Sequence, residues 1–115
     1  MNNPPVEESL DPADWEALRR LAHQAIDDGF DHLQGVRDRP VWQPVPEAVV
    51  ARLRQPAPRL PQGAESAYRE FKEIVMPYSM GNTHPRFWSW FMGNGTPFAA
   101  VGDFLAAVLN PNMGG

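Results

Sequence analysis

The side chains best suited to chemistry in this 115-residue chain gather in one stretch, NTHPRFWSWFMGNGTP, residues 82–97. His84 can stack, hydrogen-bond or relay a proton near neutral pH, and Phe87, Trp88, Trp90 and Phe91 follow it closely. The rings fall at both odd and even positions, so a strand through them would show aromatics on both faces. That suits a strand buried on both sides. It equally suits one wall of a binding site, because the flanking MGN and MGNG supply small residues that let backbone approach a ligand, and the stretch runs into a helix N-terminus, where anions are favoured. The residues alone leave both readings open, and His84 could also act by fixing the Thr83–Pro85 turn.

Other candidates are sparse. Lys72 is the only lysine, set between Phe71 and Glu73, and is expected to be a solvated partner of neighbouring acids. A mechanism that needs a lysine Schiff base within these residues would have to use it. His23 and His32 are not at i and i+4 and no cysteine is present, so neither a metal site nor a disulfide is expected. GNG is followed by no Gly-Lys-Ser/Thr, which excludes a Walker loop, and the serines and acids form no nucleophile elbow.

Elements must position these groups. With 43% hydrophobic and 10% aromatic residues the content is that of a globular chain. The 13 prolines exceed the usual ~5% about twofold, which predicts helices tied by stiff extended connections. Residues 1–10 read as a disordered lead-in. A first helix of about 24 residues, some 36 Å long at ~1.5 Å per residue, is expected after an Asp11 cap and Pro12. Its apolar stripe is Trp15, Leu18, Leu21, Ala22, Ala25, Ile26, Leu33 and Val36, and its polar face carries Glu16, Arg20, Asp27, Asp28 and Asp31. Gly29 weakens this helix but the stripe resumes beyond it. Pro46 opens a short helix to Leu53, RQPAPRLPQGAES is an exposed linker, a third helix runs from Ala64 to Val75, and Thr96-Pro97 begins a fourth that closes at Asn110-Pro111. The fold class is thus mainly α, about four helices with Pro-rich extended connections over 11–115. The first helix carries more apolar length than these short helices can cover, which points to a partner. A net charge of −4 and dispersed arginines argue against a nucleic-acid surface, and no apolar run is long enough for a membrane span. A soluble, cytoplasmic protein is expected.

Four pieces, LDPADWEALRRLAHQAIDDGFDHL, RPVWQPVPEAVVARL, THPRFWSWFMGNGTP and LAAVLNPNMGG, occur in that order. Together they resemble the N-terminal part of the group II pyridoxal-phosphate-dependent amino-acid decarboxylases, the family of aromatic-L-amino-acid, histidine and glutamate decarboxylases, over nearly the whole chain from Leu10. The resemblance implies a fold-type I enzyme: an obligate homodimer whose N-terminal helical segment wraps over the other subunit and precedes a large α/β cofactor domain. It implies that Trp15, Leu18, Leu21, Ala22, Ala25, Ile26 and Leu33 pack against their counterparts in a second copy. Through His84-Pro85 and Phe87, it places Trp90, Phe91, Met92 and Gly93 where aromatic-amino-acid decarboxylases carry Tyr, Phe, Pro and Thr along the substrate pocket. Only Phe91 is unchanged, and Asn82 stands where those enzymes carry a tryptophan, so aromatic specificity is not implied. The family's Schiff-base lysine, pyridinium-pairing aspartate, ring-stacking histidine and phosphate-binding residues have no counterpart in this chain, and Lys72 does not match the lysine's context. The expectation is therefore an N-terminal fragment without a cofactor domain. It would hold no cofactor and no catalytic residue, and would act with the remainder of a decarboxylase polypeptide that binds pyridoxal phosphate. The alternative is a non-catalytic, self-associating helical module.

Overall fold

The structure, a computed structural model, describes residues 9–112 and Gly114. The lead-in expected over residues 1–10 lies, apart from Ser9 and Leu10, outside the described residues. Among the described residues there are four α-helices and no strand: α1 Trp15–Gln34, α2 Glu47–Leu53, α3 Ala64–Glu70 and α4 Pro97–Leu109.

Local chemistry explains the ends of α1 and α4, with three corrections to the sequence reading. The cap of α1 is Asp14, not Asp11: its Oδ1 accepts from the Glu16 and Ala17 amides at 2.9 and 3.0 Å, satisfying donors that a helix start otherwise leaves open. Asp11 is occupied in a separate turn, its own N–H donating to Ser9 Oγ at 3.1 Å. The α-helix also ends earlier than the apolar stripe, at Gln34, where the Gly35 amide turns back to Asp31 and Leu33 carbonyls and a 3₁₀ turn, Gly35–Asp38, carries the chain on. The helix runs through Gly29 without a break. The third helical run covers the expected span but not as one α-helix: beyond Glu70 it widens into a π turn, Phe71–Val75, and then tightens into a 3₁₀ turn, Met76–Tyr78. Pro77 is the physical reason, since its ring cannot share the α geometry with the carbonyl one turn back and has no N–H to donate. In α4 the Thr96 hydroxyl accepts from the Ala99 amide at 3.2 Å, Pro97 occupies the first position, and Asn110 closes the helix in the left-handed region at φ 40.

The elements are tied by polar side chains. Between α1 and the third helical run, Tyr68 Oη of α3 donates to Asp28 Oδ2 at 2.5 Å and Lys72 Nζ of the π turn donates to Asp28 Oδ1 at 2.8 Å. Lys72 thus pairs with an acid on another helix, not with its sequence neighbours, and Asp28 leaves the solvent face that periodicity assigned to it. Arg52 Nε donates to Glu70 Oε1 at 2.9 Å, joining α2 to α3. Gln43 Nε2 donates to the Pro77 carbonyl at 2.9 Å, holding the extended Val41–Gln43 segment against the turn that leads to His84. The linker from Arg54 to Gly63 is exposed throughout.

No hydrophobic residue is buried among the described ones. The radius of gyration is 18.6 Å and the extents are 67 × 40 × 30 Å, against about 13 Å for a compact domain of this length.

Candidate pocket wall

The aromatic stretch starts from a tight turn. Gly81 holds φ +82, and a Cβ there would lie 1.8 Å from the Val41 carbonyl oxygen, so only glycine allows the Val41–Gln43 segment to pass this close. The His84 amide donates to the Gly81 carbonyl at 2.9 Å, and the Phe87 amide donates to the His84 carbonyl at 3.0 Å. The Arg86 amide donates to His84 Nδ1 at 3.0 Å. His84 is 4% exposed, the one buried residue among those described. It lines a small cavity with His32, Val36, Arg39, Trp42 and Gly81, while Pro85 beside it is exposed.

Beyond this turn the chain has no regular structure until α4, so the buried-strand reading does not hold. The rings face outward: Trp88 is 89% exposed, Trp90 67%, and Phe91 and Gly93 are fully open, with Met92 less so. Asn82 Nδ2 donates to Asn94 Oδ1 at 2.9 Å, closing the loop at its base. A depression of about 360 Å³ is lined by Val41, Trp42, Met80, Phe87, Ser89 and Trp90. His84 and Trp90–Gly93 therefore belong to one framed loop, with the histidine at its root and the other four residues on its open surface.

The α1 residues lie elsewhere. Trp15, Leu18 and Ile26 are exposed, and Leu21, Ala22, Ala25 and Leu33 are half-buried. Ile26 and Leu33, with Gly29 and Phe30, face Ala100, Val101, Phe104 and Leu105 of α4 across an apolar groove of about 370 Å³. Periodicity missed this groove, although α4 is almost wholly apolar, charged only at Asp103. It missed equally the Asp28–Tyr68–Lys72 tie and the Asn82–Asn94 clasp, for which local pattern offers no signal.

Electrostatics single out the tie and one histidine. Asp28 is held below the ordinary carboxylate value by the Lys72 hydrogen bond first and the Tyr68 hydrogen bond second. Tyr68 is pushed up to about 12, chiefly because its phenol donates to that carboxylate. His32, near the end of α1, is lowered by burial and then by the neighbouring Arg39 guanidinium.

These groups do not make a cofactor site. Lys72 is ion-paired to Asp28, and the depression it lines with Leu21, Tyr68 and Arg69 includes no residue of the aromatic loop. The described residues thus do not fit pyridoxal phosphate, which needs a free lysine beside a phosphate cradle. Nor, among the described residues, do three His, Asp or Glu side chains converge as metal ligands, and no described helix is long and apolar enough to cross a membrane.

In sequence the chain is similar to the aromatic-L-amino-acid decarboxylase of Catharanthus roseus, 28% identical over 111 residues that cover 96% of this chain and 22% of that protein. It is similar to a tyrosine decarboxylase of Oryza sativa subsp. japonica, 32% identical over 84% of this chain and 19% of that protein. A third relative is the aromatic-L-amino-acid decarboxylase of Rattus norvegicus, 30% identical over 84% of this chain and 20% of that protein. The chain spans about a fifth of the length of these curated relatives. No family model and no solved structure matches it.

Proposed function

We propose, from the homology of this chain to the N-terminal region of amino-acid decarboxylases, that it is the dimerising and pocket-lining segment of a pyridoxal-phosphate-dependent amino-acid carboxy-lyase of fold type I. One observation carries the reading: two side-chain-capped helices, α1 and α4, and a framed aromatic loop coexist with apolar side chains of which none among the described residues is buried. Short helices are not stable on propensity alone, so a segment of this kind draws its stability from surfaces outside itself.

In this reading the stripe of Trp15, Leu18, Leu21, Ala22, Ala25, Ile26 and Leu33 is covered by a second copy. Trp90, Phe91, Met92 and Gly93 form part of the substrate-pocket wall against the cofactor domain, where they exclude water from the reacting centre. Pyridoxal phosphate is held by residues outside those described, and no catalytic step is assigned to this chain. The substrate's side chain is sensed partly at Trp90, Met92 and Gly93, the wall positions that, with Asn82, differ from aromatic-amino-acid decarboxylases.

Sedimentation tests the association. The purified chain is expected to sediment as a dimer or larger species, and Ile26→Glu to weaken that association by at least about tenfold, since it buries an unpaired charge. A compact, stable monomer overturns the reading. A complete polypeptide carrying this segment that dimerises yet releases no CO2 from any amino acid would instead favour the self-associating module.

A further inference from the structure

We infer that His84 is a positioning residue for the pocket wall, acting through Nδ1 as a hydrogen-bond acceptor; the inference rests on the reading of residues 84–93 as that wall. Nδ1 accepts the Arg86 amide, so the ring is the neutral tautomer with its proton on Nε2. That Nε2 is buried with no hydrogen-bond partner among the described residues. Burying an unpaired polar group is destabilising, a cost that a leucine of similar bulk would not carry. What the imidazole supplies in return is the acceptor for the Arg86 amide, at the point where the chain leaves the Gly81 turn.

The placement explains why this acceptor matters. Three hydrogen bonds converge on His84: its amide to Gly81, its carbonyl from Phe87, and Nδ1 from Arg86. They fix the direction of the backbone for two residues on either side. From there to Asn94, where the clasp from Asn82 closes the loop, the chain has no helix or strand to hold it. The orientation of Trp90 to Gly93 is therefore inherited from the turn at one end and the clasp at the other. Losing the Nδ1 acceptor would leave the Arg86 amide unpaired and let the loop pivot about the surviving clasp.

The test uses the complete decarboxylase that carries this segment, comparing His84→Leu, which fills the space without an acceptor, with His84→Asn, whose Oδ1 stands where Nδ1 does. His84→Leu is expected to lower kcat/KM by about tenfold or more through misplacement of the wall. The loss should appear mainly in KM and change the ratio of preference between two amino-acid substrates, and Arg86 amide exchange should accelerate. His84→Asn is expected to restore all three to within about threefold, as one recovered hydrogen bond should. Asparagine behaving like leucine overturns the inference, as does a leucine variant with unchanged preference and unchanged Arg86 exchange. If the parent enzyme shows no decarboxylation, the functional reading fails by itself, and Arg86 exchange in the two variants still decides whether the acceptor holds the turn.

Discussion

Asp28 accepts from Lys72 and Tyr68 at once, so a single carboxylate carries the contact between α1 and α3, and its charge sets the pH range in which that contact lasts. Its folded pKa is depressed below 3.8, so its contribution is complete above that value and is lost as pH falls through the lowered one. Tyr68 is displaced upward, from 10.0 to about 12; its contribution is complete below 10.0 and is lost as pH rises through about 12. His32 is depressed below 6.5, so the end of α1 begins to weaken first as pH falls from that value. Amide exchange along α1 against pH should show protection declining first near His32, then at Asp28, with the α1–α3 seam intact from about pH 4 to pH 10. In Asp28→Asn the acid and alkaline steps of the seam should both disappear. A seam whose protection is flat below pH 4 in the parent chain would refute the assignment.

At the scale of elements, α1 and α4 face each other across a groove that neither fills. Gly29 lies on its floor, and a Cβ there would meet nothing within 4 Å. No steric reason among the described residues calls for glycine, although a mid-helix glycine costs up to ~1 kcal/mol against alanine. Gly29→Ala should therefore raise the thermal stability of α1 by up to about that amount in circular dichroism and leave association unchanged. Gly29→Leu should fill the groove and weaken self-association in sedimentation if the second copy approaches there. Equal association of both variants would move the dimer contact away from the groove. Much at this scale was legible in sequence: Thr96-Pro97, the short α2, the exposed proline linker and the stripe of α1 all follow from neighbouring residues. The start of α1 was not, because Asp11 and Asp14 are both competent caps and only the turn made with Ser9 decides between them.

The whole molecule is a set of well-formed pieces spread over 67 Å without a buried apolar core among the described residues. A chain of this size normally buries about 60% or more of the surface its unfolded form exposes. Its apolar area is instead offered outward, on α1, α4 and the aromatic loop. Cofactor chemistry should accordingly fail in the isolated chain: mixing it with pyridoxal phosphate should give no saturable, borohydride-reducible adduct. A strong adduct at Lys72 would show that the ion pair to Asp28 does not keep that amine occupied. The composition by itself determined that the chain is helical and proline-tied, and that its one lysine and one aromatic stretch are the groups to follow. Caps, periodicity and proline geometry act between residues a turn apart, so they survive without knowledge of the rest. Only the tertiary structure decided that Trp88, Trp90 and Phe91 face outward while His84 is covered, that Asp28 turns to Tyr68 and Lys72, and that Asn82 meets Asn94. Each of these depends on where one segment lies against another, through contacts that local pattern does not encode.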